Sequence, residues 1–400
     1  MLTNAFIPYG TWWSTPFAKW QGSLAGQHPL ELAASCARRT LEGHDVDPKT
    51  FSSLVLGLTV PARSSFYGAP WVASLIGAPT LTGPTVMQAC ATGARCVATA
   101  ATSVAAGLDD AVLVVAADRT SNGPHLYYPD PQGPGGRGRA EDWVWDNFNY
   151  DPVPKNAMIE TAENVAREGG FSRQAQDEIT LLRYAQYRAG VNEGFHKRFM
   201  IWPLEIKDPS GRKVIARVEG DEGVFATTAE GLAKLPTVKP DGTATFGTQT
   251  HPADGNAGLI VAARDRALAL SRDSKVSIRV ASFAQANAKK GFMAQAVVPA
   301  ARKALDLAGF SMDEVVIKTH NPFAVNDLYF ARETGRAPES VNRFGSPLVY
   351  GHPQAPTGIR CLIELCEELV MRGGGRGLFA GCAAGDTAAA VCVEVGDGIA

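Results

Sequence analysis

The chain has 400 residues, enough for two large cores or several domains. A formal charge of −2 argues against a dedicated nucleic-acid binder, and an apolar fraction of 45% with 41 glycines and 25 prolines is that of a folded protein rather than a disordered one. Seven cysteines without a CxxC pair suit neither a disulfide scaffold nor a zinc cage, so a reducing, cytoplasmic setting is expected; the opening MLTNAFIPYGTWW has no secretory pattern, and no apolar run reaches membrane-spanning length.

Up to about residue 120 the pattern alternates strand and helix. LELAASCARRTLEG (30–43) reads as a helix, FSSLVLGLTV (51–60) as a strand and APWVASLIG (69–77) as a short helix. In TVMQACATGARCVATAATSVAAG (85–107) a β-rich run stops at Cys90 and a small-residue helix begins. DAVLVVAAD (110–118) is almost wholly apolar, as a strand covered on both faces would be.

From residue 119 to 255 the pattern loosens. Residues 125–154, rich in Pro, Gly, Asp and aromatic rings, read as a long ordered loop. Two helices follow, around TAENVAREGG (161–170) and over 172–194, the second with Ser172 as N-cap. His251, in FGTQTHPADGNAG, is placed in a glycine-rich turn near a ligand.

The last third repeats the grammar of the first. KVSIRVASFA (275–284) and DEVVIKTH (313–320) read as strands, and VVPAARKALDLAG (297–309), VNDLYFARETG (325–335) and PTGIRCLIELCEELVMRG (356–373) as helices. GRGLFAGC (375–382) and TAAAVCVEVGDG (387–398) read as closing strands. The simplest account is a duplicated α/β unit, two sheets alternating with three helix layers in an α-β-α-β-α body. The expected division is 1–120 plus 251–272 as the first half, 121–250 as a loop domain over the active site, and 273–400 as the second half.

Three side chains stand at small-residue turns: Cys90, His352 in GHPQAPTG, and Cys382 in AGCAAGD. A free cysteine among small residues is ordinarily a buried apolar side chain; a helix start offers the rival reading of an activated thiol. His352 is open to the same alternatives, a core imidazole satisfied by backbone or a base. Together the three make a workable machine for carbon–carbon chemistry on a thioester, with one thiol carrying the acyl group, the imidazole taking its proton and the other thiol moving a proton at the α-carbon. His320 and Asn321 end an apolar strand, where α/β proteins place reactive groups. Cys36, Cys96, Cys361, Cys366 and Cys392 read as core, and His28, His44, His125 and His196 as surface residues. No metal triad with useful spacing appears, and MRGGGRG (371–377) lacks the phosphate-loop ending.

In order and in combination, TPFAKWQGSLA, QACATGARC, NAMIETAENVA, SRQAQDE, KPDGTATFG, GNAG, HNPFAVND, GHPQAPTG and GCAAGD resemble the thiolase family over essentially the whole length. The resemblance implies the five-layer fold, coenzyme A thioesters as substrates and products with no permanently bound cofactor, and a homodimer or tetramer. By position, Cys90 resembles the acylated nucleophile, His352 its activator, Cys382 the acid/base, and His320 the residue that holds a catalytic water. One oxyanion hole would take the N–H groups of Cys90 and Ala384, the other His320 and His352. Met158, Val238, Thr250, Met293, Pro322 and Phe323 match the pantetheine tunnel.

His320 stands where the family often has asparagine and the sterol-carrier-type branch histidine. That likeness brings two expectations, a small zinc-ribbon/OB-fold partner and an aromatic-compound role such as that of benzoylsuccinyl-CoA thiolase. Ala383, Ala384 and Asp386 replace usual glycines; Ala384 requires φ below zero, and Asp386 suits a helix cap. Tyr127, Tyr128, Trp143, Trp145 and Phe148, with Trp12 and Trp13, would serve a bulky acyl pocket or anchor dimer loops. The rivals to a thiolase are a ketosynthase-like condensing enzyme, against which Cys382 speaks, and a non-catalytic scaffold subunit.

Overall fold

The structure is a computed structural model that describes residues 2–208 and 210–397. The last residue of the expected closing strand, Gly398, and the outer limits of the two expected halves lie outside the described residues. In one sheet, strand Ala253–Ala262 pairs antiparallel with Ala111–Arg119, which runs parallel to Ser53–Gly57, and the short Thr85–Val86 strand forms the edge. In the other, Thr387–Gly396 pairs antiparallel with Gly375–Ala383, which runs parallel to Val315–His320. The same order and the same senses recur. That repetition is the duplicated α/β unit expected from the sequence.

Helices Pro29–Gly43 and Gly68–Leu75 cover the outer face of the first sheet, and Val297–Ala308 covers that of the second. Between the sheets lie Thr92–Ala105 and Gln354–Met371, in contact with both. The second of these is buried without a break from Ala355 to Leu369, although it carries Arg360, Glu364, Glu367 and Glu368. Each of those charges has a partner: Arg360 pairs with Asp221, Glu364 with Lys318, Glu367 with Arg198 and Glu368 with Arg372. Burial of an ion is tolerable only with such pairing.

The two central helices touch backbone to backbone. A Cβ on Gly93 would stand 2.6 Å from the Ala355 carbonyl oxygen and 2.8 Å from the Ile359 nitrogen, and one on Gly358 would stand 2.9 Å from the Ala94 nitrogen. Glycine at both positions lets the two helix starts lie side by side.

Several expectations need correction. The glycine-rich stretch after His251 is the start of a central strand, Ala253–Ala262, buried throughout. Its glycines make room for rings, since a Cβ at Gly258 would sit 2.1 Å from the Trp13 indole and one at Gly255 2.6 Å from Phe17. Trp12 and Trp13 are therefore core, with the Trp13 Nε1–H donating to Asn256 at 2.8 Å. The long aromatic segment is not bare loop but holds a hairpin, His125–Tyr128 with Arg139–Asp142, and a helical turn, Trp145–Asn149. A second unanticipated hairpin joins Leu204–Lys207 to Val214–Val218. His196 is buried, not on the surface; it bonds the Phe344 carbonyl, and burial pulls its pKa down to about 4. The Ser172 cap is as expected, its hydroxyl accepting the Ala175 N–H at 3.1 Å.

Gly93→Ala should destabilise the protein by about 1–3 kcal/mol, the usual cost of overpacking, despite alanine's better helix propensity. Gly43→Ala, where a methyl would meet nothing within 4 Å, should be neutral or mildly stabilising. Urea unfolding of both variants checks this; equal midpoints would show that the helix contact is not tight.

Candidate active site

Cys90 follows a sharp turn. Ala89 adopts φ +43°, the Ala91 N–H donates to the Gln88 carbonyl at 3.0 Å, and the Thr92 hydroxyl donates to the Ala89 carbonyl at 2.7 Å. A non-glycine residue in left-handed backbone costs about 1–2 kcal/mol and persists only where the surroundings impose it. The turn aims the thiol at the start of helix Thr92–Ala105, whose free N–H groups make the local potential positive. Burial pushes the thiol up to about 11; the nearby backbone N–H groups of Ala384 and of Cys90 itself oppose this, while the Asp118 charge adds to it. Burial wins, so the resting group is a protonated thiol.

His352 arrives from the turn Pro347–Tyr350 through Gly351, whose φ of +92° and approach to His251 leave no room for a side chain. Its backbone N–H donates to the His251 carbonyl at 3.0 Å. The ring's Nδ1 lies 2.7 Å from the Thr357 hydroxyl, and that hydroxyl spends its one hydrogen on the Pro353 carbonyl at 2.8 Å. Nδ1 must therefore carry the proton and donate it, which leaves Nε2 with a free lone pair. Nε2 has no protein partner.

His320 ends strand Val315–His320 with neither ring nitrogen bonded. Its ring lies 4.0 Å from that of His352, centroid to centroid, at 33°. The Cys90 sulfur and one nitrogen from each imidazole all fall within 4.8 Å of one another. Burial lowers the His320 pKa to about 3, and burial together with His320 holds His352 well below the ordinary imidazole value. Both rings are neutral at physiological pH.

Cys382 sits near the end of strand Gly375–Ala383, whose Gly381 pairs with His320 across the parallel ladder. Burial and then the nearby Cys90 raise its pKa, and the Asn326 amide, donating to its sulfur at 3.2 Å, opposes them. Ala384 is not among the residues with positive φ; Gly385 at +83° and Asp386 at +56° make the left-handed turn instead. The Asp386 carboxylate accepts the Gly291 N–H at 2.7 Å, fastening the segment ahead of the Met293–Ala296 turn rather than capping a helix.

Of the tunnel candidates, Met158, Met293 and Phe323 share one apolar cluster with Cys382. The Thr250 N–H donates to the Pro322 carbonyl at 2.7 Å and its hydroxyl to that of Pro347 at 2.6 Å, so both residues border the His352 turn. Val238 belongs to a separate turn, its N–H bonded to Ala244, which the Glu163 carboxylate holds from helix Met158–Gly169. A cavity of 570 Å³ opens beside His251, lined by Trp20, Phe225, Phe246, Gln249 and Leu348.

The sequence reading missed three supporting residues. Asp118, at the end of its apolar strand, accepts from the Thr59 and Val60 N–H groups, the Thr59 hydroxyl and the Ala355 N–H, the last at 2.6 Å. Thr357 sets the His352 tautomer, and Asn326 holds Cys382. A carboxylate closing a wholly apolar strand and a threonine one turn into the helix after His352 were the available signals. Asn326 had none, because its partner lies 56 residues away.

The chain matches known families along most of its length. "Thiolase, N-terminal domain" matches residues 13–265 and "Thiolase, C-terminal domain" matches residues 274–395. The chain is 30% identical over 402 residues to the acetyl-CoA acetyltransferase of Pseudomonas aeruginosa, covering 96% of each. It superposes on the crystal structure of the Bacillus anthracis acetyl-CoA acetyltransferase with a TM-score of 0.90 at 26% identity, over 98% of this chain and 99% of that one. On human mitochondrial 3-ketoacyl-CoA thiolase in complex with CoA the TM-score is 0.88 at 26% identity, over 98% of each. The chain belongs to the thiolase family: it is an acyl-CoA C-acyltransferase whose chemistry is Claisen condensation or cleavage.

Histidine NMR on ¹⁵N-labelled protein tests the protonation states. At pH 5.5 His320 and His352 should both remain neutral, with the His352 proton on Nδ1; an imidazolium signature for either would mean that water solvates the pair.

Proposed function

We propose that the protein cleaves or forms a 3-oxoacyl-CoA by a two-stage exchange through an acyl-Cys90 thioester. The observation that carries the reading is the meeting of the Cys90 sulfur with the unpartnered nitrogens of His352 and His320, with the Ala384 N–H nearby. In the cleavage direction, His352 Nε2 takes the Cys90 proton as the sulfur attacks the 3-oxo carbon. The N–H groups of Cys90 and Ala384 hold the resulting oxyanion. Collapse breaks the bond between the α-carbon and the former keto carbon, and the enolate oxygen is held by the Nε2–H of His352 and by His320, directly or through a water. Cys382 gives its proton to the α-carbon, and the shortened acyl-CoA leaves. Coenzyme A then enters, its thiol restores the Cys382 proton, and its sulfur takes the acyl group from Cys90. Cys90 regains its own proton from His352, so every proton is accounted for.

Met158, Val238, Thr250, Met293, Pro322 and Phe323 are proposed to line the pantetheine path. The human neighbour with bound CoA supports that proposal at the level of fold. A bulky or aromatic acyl group is the substrate reading the free rings favour. Trp20 packs on Trp145 at 5.2 Å, and Phe225 and Phe246 stand exposed around the 570 Å³ cavity. Trp143, pinned to the Thr59 carbonyl, and the core residues Trp12 and Trp13 do not contribute. The His320 imidazole supports the likeness to sterol-carrier-type thiolases, and with it a benzoylsuccinyl-CoA-like substrate and a zinc-ribbon/OB-fold partner. The three-part division, with 121–250 over the site, and a cytoplasmic location belong to the same proposal; among the described residues no helix is long and apolar enough to cross a membrane.

A homodimer, or a tetramer built from it, is proposed to form along the open Thr85–Val86 edge. Phe66, Tyr67 and Met87 stand there 96%, 67% and 60% exposed, an arrangement a lone subunit would not keep. Light scattering should give twice the chain mass or more, and Met87→Asp should shift the protein towards monomer. A wild-type monomer would refute the proposed edge.

The enzyme reading is tested by incubation with single acyl-CoAs, aliphatic and aromatic, followed by intact-mass and peptide analysis. An adduct should appear on Cys90 alone and vanish in Cys90→Ala. Cys382→Ala should still acylate while Claisen exchange falls by roughly 10²–10⁴, the range of a lost acid–base group. No adduct from any acyl-CoA would favour a scaffold, and normal exchange in Cys382→Ala would remove that residue's proposed role.

A further inference from the structure

We propose that Cys90, His320 and His352 also form a reversible binding site for a soft divalent cation of the Zn²⁺ class, which occupies the sulfur and blocks it. The donor set is one thiolate and two neutral imidazoles, the ligand types that Zn²⁺ prefers. Three protein ligands with the fourth position left to water are a complete set for an open tetrahedral site.

Geometry favours the cation on four counts. The three donor atoms lie within 4.8 Å of one another. Zinc bonds of about 2.3 Å to sulfur and 2.0–2.1 Å to nitrogen set the donors roughly 3.3–3.7 Å apart, so closing onto the ion needs movements on the order of 1 Å. His352 needs no tautomer change, because Thr357 already holds its Nδ1 proton and leaves the Nε2 lone pair free. Such a hydrogen bond to the remote ring nitrogen is the outer partner that metal-ligating histidines usually have. His320 is buried with both nitrogens unbonded, so its ring has no hydrogen bond to surrender before turning either one towards the ion.

Charge points the same way. The Asp118 carboxylate acts electrostatically on Cys90 without joining the cluster, because four donors already occupy its oxygens. It offsets part of the positive charge a dication would add. On binding, the Cys90 S–H bond gives way to a metal–sulfur bond, and the proton leaves to solvent. No electron changes hands. The cation is not required for the acyl chemistry; it competes for the same sulfur, so acyl transfer would respond to free zinc.

The binding does not depend on Cys90 being acylated, which keeps the two readings separable. Tag-free, chelator-treated protein is titrated with Zn²⁺ alone against a chromophoric chelator, and with Co²⁺ for its spectrum. One ion per chain is expected, with a thiolate-to-cobalt charge-transfer band and protection of Cys90, but not of the other thiols, from iodoacetamide. Cys90→Ser should abolish the band. His320→Asn should weaken Zn²⁺ binding by more than the 10–100-fold typical of losing only an outer partner of a ligand. No band, an unprotected Cys90, or unchanged affinity in His320→Asn would overturn the proposal. Should Cys90→Ser fail to fold, alkylation of the wild-type protein and the His320→Asn titration still decide it. A chain that acylates Cys90 but ignores zinc refutes only this site; one that binds zinc but never acylates refutes only the proposed acyl exchange.

Discussion

The close crossing of helices Thr92–Ala105 and Gln354–Met371 is the constraint on which the site depends. Cys90 and His352 each stand two residues ahead of one of these helices, just over 260 positions apart in the chain. They meet because Gly93 and Gly358 have no side chains and the two helix starts share one place between the sheets. Asp118 then locks the arrangement, one carboxylate binding the Thr59–Val60 turn on the first-half side and the Ala355 N–H on the other. A larger side chain at the crossing would separate sulfur from imidazole before it opened the core, because the contact lies at the helix ends that carry the reactive groups.

Behind the two histidines stands a second constraint. Arg360 is fully buried, stacked 3.8 Å from the Tyr350 ring, and its two terminal nitrogens bond Asp221 at 2.6 and 2.8 Å. Its Nε bonds Glu364, which also pairs with Lys318. Lys318 is two residues before His320, and Tyr350 is two residues before His352. Two cations and two anions cancel, so the cluster adds little net field at the site, yet removing any one would leave a buried charge unpaired. It joins the strand of His320, the turn of His352 and the segment around residue 221 into one frame. Paired charges give directions that an apolar contact would not, and two imidazoles at van der Waals distance need fixed directions.

Most regular elements were legible because their apolar periodicity follows from burial. Ala111–Arg119 and Gln354–Met371 are apolar where covered, and the sequence says so. FGTQTHPADGNAG, which runs into strand Ala253–Ala262, has turn composition; the requirement that filled the strand's start with small residues is space for Trp13 and Phe17, which arrive from about 240 residues away. Separation in the chain likewise hid the roles of Trp12, Trp13 and His196, the last bonded to Phe344, 148 residues on. Cys90, His352 and Cys382 were visible because each sits at a chain reversal among residues without bulk. Asn326 was not, since a single amide has no local pattern, and Asp118 showed only as a carboxylate closing an apolar strand. What local text conveys is where the backbone must turn; what it omits is which remote side chain fills the space.

The histidine pair also limits how charge can move through the proposed cycle. With ring centroids 4.0 Å apart in a buried setting, the two imidazoles cannot both be protonated without strong repulsion. The pair can hold one extra proton and no more. While His352 holds the proton from Cys90, His320 must stay neutral, which suits it to donate a single N–H or to hold a water. When Cys382 has given up its own proton, its thiolate faces the one imidazolium, and those two charges offset each other. The cycle therefore runs on one displaced proton and one displaced negative charge. The donors that steady them are backbone N–H groups and amides, which respond without titrating. A second charged base in place of neutral His320 would break that balance, and so explains why burial, rather than a neighbouring carboxylate, governs both rings.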